Sequence, residues 1–435
     1  MSRRIEAVAV LGGGTMGAGI AGACAQAGCK VLLLDVSYEA AQKALDRIVN
    51  GRPPAVDDAE AAARIELGSF DDLAKIQGYD WICEAVIEDL ATKRALFEKL
   101  EPLRSDGSVV STNTSGIPLR DITVGMPERL RRDVTVTHFF NPVKMMKLME
   151  LVPGADTTPD AVEALAEFCG KRLGKGVVHA KDTVNFIGNR IGCFWMLSGL
   201  HKARAALESG LSMETVDAVM GAPVGLPSTG LYGLIDLIGL DVMDFVGKNL
   251  DANLPEGDAC RAYTAFPPTE QEMLARGQLG RKSGGGFYKM TKHEDGHRSK
   301  QTFDLLAGDW RPSQDAVAGH GDIKSLMLAN DTQGRFAWAL MGGTLAYAAG
   351  LVPEISDDIV NVDRAMRWGF AWKMGPFEML DALDPYAVIT RLEQNHRPVP
   401  NMLAILRDAG AESFYRDEGK EFLGTDGRYH SVPAE

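Results

Sequence analysis

A glycine run set between a strand and a helix constrains this chain more than any other stretch. Ala7-Val8-Ala9-Val10-Leu11 reads as a short buried strand, Gly12-Gly13-Gly14-Thr15-Met16-Gly17 follows at once, and Ala18 to Ala27 has a helical pattern. A second apolar run, Lys30-Val31-Leu32-Leu33-Leu34, ends at Asp35, eighteen residues past the last glycine. This is G-x-G-x-x-G in the strand–turn–helix context that dinucleotide binding requires. Gly12 permits the tight turn, Gly14 lets the backbone approach a pyrophosphate, and Gly17 allows close helix–strand packing. The helix start, with Thr15 and Met16, offers free N–H groups and a positive dipole end to phosphates. Asp35 would accept from ribose hydroxyls and repel a 2′-phosphate, which favours NAD over NADP.

Beyond Asp35, strands and helices alternate. The pattern predicts helices over Tyr38–Val49, Ala59–Ile65 and Ala91–Leu100, and strands over Asp80–Glu88 and Ser108–Thr112. A β-branched run, Val134 to Thr137, leads into His138-Phe139-Phe140-Asn141-Pro142, where Asn-Pro breaks the strand. A further apolar run from Met145 to Val152 carries Glu150, and an acid in such a segment is costly unless paired. A strand, a turn and a returning run can bring His138 and Glu150 together, leaving the far imidazole nitrogen free to take a proton. The expected fold is α/β, an N-terminal Rossmann-like doubly wound parallel sheet followed by a mostly helical C-terminal region. In such sheets ligands sit beyond the carboxyl ends of the strands, where Glu84, Glu88, Asn113, Ser115 and His138 fall.

The character changes at Asp182. Helices are predicted over Asp160–Leu173, Phe186–Glu208, Ser212–Met220 and Leu234–Leu250, and the polar stretch His293–Ser313 reads as a linker. A tandem repeat is also legible: Asp217 and Asp236 recur as Asp363 and Asp381, and Val216-Asp217-Ala218-Val219-Met220 resembles Val362-Asp363-Arg364-Ala365-Met366. Three domains are expected, at 1–181, 182–290 and 291–435.

A net charge of −13 argues against binding nucleic acid or an anionic membrane surface. No run of roughly eighteen apolar residues is present to span a bilayer. The opening Met1-Ser2-Arg3-Arg4 reads as the approach to the first strand rather than as a signal peptide. Six cysteines with no C-x-x-C spacing suggest neither a disulfide framework nor a metal site, so a reducing cytoplasmic setting is expected.

Taken together, Gly12 to Gly17 with Asp35, Glu84 to Glu88, Asn113-Thr114-Ser115, the His138–Pro142 run with Glu150, and Asn189-Arg190 resemble the L-3-hydroxyacyl-CoA dehydrogenases of fatty-acid β-oxidation. The likeness covers nearly the whole chain and is strongest to the dehydrogenase portion of fused dehydrogenase/enoyl-CoA hydratase proteins. It implies oxidation of a 3-hydroxyacyl-CoA to the 3-oxo thioester with NAD, His138 as general base and Glu150 as its orienter. It implies that Ser115 and Asn189 hydrogen-bond the reacting oxygen, that Glu88, Lys93 and Asn113 contact the cofactor, and that Asn141 supports the nicotinamide. It also implies an acyl-CoA substrate, a hydratase partner or fused domain outside this chain, and a monomer or homodimer. The family's CoA-holding hairpin is abbreviated here to Tyr38–Ile65. A sugar-acid dehydrogenase of the gulonate type and a catalytically silent NAD-binding scaffold are the competing readings.

Overall fold

The structure, a computed structural model, describes residues 3–293 and 296–434. Met1-Ser2 of the opening and Glu294-Asp295 of the expected linker lie outside the described residues. The chain forms two compact units, one built from residues up to 187 with 354–357 and 433–434, the other from 188–353 and 358–432.

In the first unit, β1 (Ala7–Leu11) leads through the glycine loop into α1 (Thr15–Gln26) and β2 (Lys30–Asp35). After α2 (Tyr38–Asn50) come β3 (Ile65–Ser69), β4 (Trp81–Glu84), β5 (Val109–Thr112), β6 (Val134–Phe139), β7 (Leu148–Pro153) and β8 (Gly176–His179). The eight strands lie in the order β3-β2-β1-β4-β5-β6-β7-β8. The first six are parallel and the chain reverses at β1, the doubly wound arrangement. β7 turns back antiparallel on β6 and pairs parallel with β8, so the sheet is mostly rather than wholly parallel. β4 and β6 are buried along their whole length and β2 from Val31 to Leu34, as strands covered on both faces require.

Several boundaries differ from expectation, each for a local reason. The helix from Ala59 stops at Ala63, because Ile65-Glu66-Leu67 alternates and joins the edge of the sheet as β3. The strand expected to reach Glu88 ends at Glu84, whose carboxylate accepts from the Val86 N–H and turns the chain out of the ladder. The helix that begins at Pro159 passes at Phe168 into a wider turn ending at Arg172. Leu234–Leu250 is two helices, Gly230–Ile238 and Leu240–Asn253, broken at Gly239 with φ +104°.

The second unit is mainly helical, but the polar stretch 293–313 is not the linker expected. Strand Arg298–Asp304 pairs antiparallel with Tyr288–Lys292 on one side and with Asp309–Pro312 on the other, making a three-stranded sheet. Thr302 and Phe303 are the buried side of an otherwise polar strand, a signal too short to outweigh its charges.

One buried polar arrangement occurs twice in this unit. Asp217 accepts from the Tyr232 and Gly233 N–H groups and from the Tyr288 hydroxyl, while Asp236 accepts from the Phe287 and Tyr288 N–H groups. Correspondingly, Asp363 accepts from the Phe377 and Glu378 N–H groups and the Tyr415 hydroxyl, and Asp381 from Phe414 and Tyr415. Even the glycines match, since a Cβ on Gly230 would collide with Asp217 and one on Gly375 with Asp363. Burial raises all four acids: Asp217 to about 7, Asp236 and Asp381 to about 6, and Asp363 well above its ordinary value, against the opposing pull of the donors.

A carboxyl raised in the folded state binds its proton more tightly there than in the unfolded chain, where Asp titrates near about 3.9. Its contribution to stability is therefore complete below that value and is lost as pH rises through the folded value, about 7 for Asp217. Asp217→Asn, permanently uncharged, is expected to flatten the fall in Tm between roughly pH 4 and pH 7. Scanning calorimetry of both proteins across that range measures the difference, and parallel curves would remove Asp217 from the account.

Candidate functional site

The glycine loop is shaped by the strands around it. Gly12 has φ +104°, and a Cβ there would lie 2.6 Å from the Ala85 carbonyl oxygen. A Cβ on Gly17 would lie 1.8 Å from the Gly12 oxygen, so only glycine lets α1 start against β1. Gly14 differs: a Cβ there would meet no protein atom within 4 Å. Its side of the loop is open, as a loop that receives a ligand's phosphates needs. The first turn of α1, Thr15-Met16-Gly17, has N–H groups without intrahelical acceptors and no acidic side chain. Asp35, at the end of β2, accepts from the Gly13 N–H at 2.9 Å and the Val36 N–H at 2.6 Å, tying the strand end to the loop. Arg47 of α2 donates to the Gly13 carbonyl.

At the carboxyl ends of β4 and β5, Lys93 is buried between two carboxylates, with Nζ 2.8 Å from Glu84 and 3.2 Å from Glu88. Glu84 also accepts from the Thr112 hydroxyl at 2.6 Å. Glu88 gathers the next loop, accepting from the Thr114 hydroxyl at 2.7 Å and from the N–H groups of Ser115 and Gly116. Burial alone would raise Glu88, but Lys93, Thr114 and Ser115 outweigh it and hold it below the ordinary carboxylate value. Ser115 Oγ stands 3.3 Å from the same carboxylate. Lys93 thus acts on the Asn113–Gly116 loop from beneath. Asn113 joins this loop to β6, its side-chain oxygen accepting from the Phe139 N–H at 3.0 Å.

His138 and Glu150 are directly opposed in the β6–β7 ladder. The reversal at Asn141-Pro142 creates that register, and in it the two side chains share one face of the sheet. Nδ1 of His138 lies 2.6 Å from Glu150 Oε2, with Glu150 fully buried and His138 4% exposed. Phe140 and Phe186 flank the imidazole at centroid distances of 4.5 and 5.7 Å. The other Glu150 oxygen accepts from the Ile187 N–H at 3.0 Å. A carboxylate fixed at both oxygens fixes the ring beside it, which leaves Nε2 as the exchangeable position.

Asn141 is exposed and lines, with Thr15, Arg47, Arg52 and Lys144, a cavity of about 270 Å³. Lys144 pairs with Asp57 and donates to the Pro54 carbonyl. Asn189 belongs to the second unit, as the second residue of helix Gly188–Glu208. Among the described residues no cluster of His, Cys, Asp or Glu could hold a metal ion, and no helix is long and apolar enough to cross a membrane.

The roles of Glu84, Thr114 and Ile187 were not legible beforehand. Glu84 and Lys93 stand nine positions apart, with no helical spacing to link them. Ile187 acts through its backbone, which side-chain identity does not report.

Comparison with known proteins supplies the remaining evidence. Residues 7–183 match the family model described as 3-hydroxyacyl-CoA dehydrogenase, NAD binding domain, and residues 186–290 match its C-terminal domain. The chain is 34% identical to a Bacillus subtilis protein named "Probable 3-hydroxyacyl-CoA dehydrogenase", across 99% of this chain and 58% of that one. It is 32% identical to the mitochondrial hydroxyacyl-coenzyme A dehydrogenase of Rattus norvegicus, over 66% of this chain and 91% of the relative. The crystal structure of 3-hydroxybutyryl-CoA dehydrogenase from Escherichia coli K12 superposes with a TM-score of 0.67 at 26% identity, covering 90% of this chain and 95% of that one. The chain therefore spans little more than half the length of the Bacillus relative.

Proposed function

Because this chain belongs to the 3-hydroxyacyl-CoA dehydrogenase family, we propose that it interconverts (S)-3-hydroxyacyl-CoA and 3-oxoacyl-CoA with NAD, in the cytoplasm, as the dehydrogenase step of fatty-acid β-oxidation. The observation that carries this reading is the buried His138–Glu150 pair at 2.6 Å, held at the carboxyl ends of the sheet whose first loop is the glycine fingerprint.

The open side of Gly14, the first turn of α1 and Asp35 fit a dinucleotide, with Asn113 and Asn141 at the nicotinamide end and Glu88 and Lys93 shaping the loop between. NAD, when bound, supplies the hydride-accepting ring. His138 takes the proton from the substrate hydroxyl at Nε2, and Glu150 holds the tautomer and stabilises the imidazolium that forms. Ser115 and Asn189 donate toward the oxygen as it becomes a carbonyl, the role of an oxyanion-hole donor. Arg52 and Lys144 suit the phosphates of the CoA portion. An enoyl-CoA hydratase, fused or bound, is the partner this reading proposes, and the duplicated helical node suits a monomer or a homodimer.

NADH oxidation with acetoacetyl-CoA tests the assignment. Steady turnover is expected; NADH binding without turnover would favour a silent scaffold, and NAD reduction by free hydroxy sugar acids, with no turnover of acetoacetyl-CoA, a gulonate-type enzyme. Asp35→Ser is expected to shift the cofactor preference toward NADP by about tenfold, or ~1.4 kcal/mol, measured as the ratio of kcat/KM values. An unchanged ratio would remove Asp35 from ribose recognition.

A further inference from the structure

The junction immediately before the second unit contains two consecutive non-glycine residues in the left-handed region, Asn185 at φ +61° and Phe186 at φ +51°. Asn tolerates this conformation, but a bulky aromatic seldom adopts it. Both residues are buried, so the turn is enforced by what surrounds it. It delivers two groups to the proposed base. The Phe186 ring, fully buried, packs 5.7 Å from the imidazole of His138, and the next N–H, that of Ile187, donates at 3.0 Å to Glu150 Oε1. The turn is closed by the Phe186 N–H donating to the Thr183 carbonyl at 3.2 Å. Its beginning is fixed to the sheet domain by Asp182, which accepts from the N–H groups of Leu119 and Arg120.

We infer that the left-handed turn Asn185–Phe186 is a positioning device for the catalytic pair, setting Glu150 through the Ile187 N–H and walling His138 with Phe186. The inference rests on His138 being the base. A relaxed backbone would carry the Ile187 N–H away from Glu150 Oε1 and remove that restraint on the carboxylate's orientation. The strained conformation is thus spent on holding one hydrogen bond in place.

Asn185→Val tests it, since a β-branched residue resists a positive φ, with Asn185→Gly as the conservative partner that accepts one. Asn185→Val is expected to lower kcat by about 10-fold to 10²-fold, the scale of a misplacement near 1 Å. KM for acetoacetyl-CoA and NADH affinity should stay within about twofold, as loss confined to the chemical step requires. Asn185→Gly should retain wild-type kcat, a rescue that a merely structural role at this position would not separate from KM. If Asn185→Val does not fold, Phe186→Leu, which keeps apolar volume but removes the ring, carries the same expectation for kcat. Unchanged kcat in Asn185→Val, or losses that only follow Tm and NADH binding, would overturn the inference. An inactive wild-type chain would refute the proposed function instead, so the two failures are distinguishable.

Discussion

His138→Ala is expected to lower kcat/KM for acetoacetyl-CoA reduction by about 10²- to 10⁴-fold, the range that a positioned acid–base group contributes, while NADH affinity changes only a few-fold. The separation follows from where the imidazole's contacts lie. His138 touches Glu150, Phe140 and Phe186, all on the β6–β7 side of the sheet. The glycine loop is held instead by Asp35, Arg47 and the close approach of Gly17 to Gly12. Removing the ring deletes the proton carrier and leaves a cavity against two aromatic rings, without touching the loop. Stopped-flow turnover beside fluorescence titration of NADH reads both quantities. A collapse of NADH binding along with activity would make His138 a structural residue and end its assignment as the base.

Gly17→Ala is expected to have the next largest effect, and on different quantities, weakening cofactor binding strongly and lowering stability with it. The added methyl would stand 1.8 Å from the Gly12 oxygen and 3.3 Å from the Ala85 side chain. Backbone, not a flexible side chain, occupies the space, so α1 must move away from β1. Overpacking of this kind costs about 1–3 kcal/mol and sometimes more, and the displaced helix start no longer presents its N–H groups to phosphates. Gly14→Ala is the informative partner. At φ −60° and with no atom within 4 Å, it should leave Tm unchanged yet weaken NADH binding, because the methyl enters only the space a ligand would fill. Equal Tm and equal NADH affinity in Gly14→Ala would place the pyrophosphate elsewhere.

Much of this architecture can be read from residue order because local and long-range demands agree there. The glycine loop states its fold in six residues, since Gly12 and Gly17 answer to backbone contacts fixed by the adjacent strand and helix while Gly14 faces open space. The His138–Glu150 opposition is legible because a strand, an Asn-Pro break and a second apolar run leave few registers in which an acid could be buried. Elsewhere the pattern is silent for physical reasons. Strand β3 carries Glu66 and Gly68 and joins only at a sheet edge, so its apolar signal is weak. The sheet over 288–312 is short and largely exposed, which leaves a polar sequence hard to tell from a linker. The Asn185–Phe186 turn is invisible because Phe has no left-handed preference, and only surrounding packing imposes the conformation. The pairing of Lys93 with both Glu84 and Glu88 was equally hidden. Helix spacing cannot show which acids a lysine will reach across a loop.

The most direct test is a crystal structure of the chain with NAD and acetoacetyl-CoA bound. Nε2 of His138 should lie about 2.6–3.2 Å from the 3-oxygen of the acyl group, within reach for proton transfer, with Nδ1 still on Glu150. An acyl group lodged away from that nitrogen, or an imidazole turned from the ligand, would contradict the account.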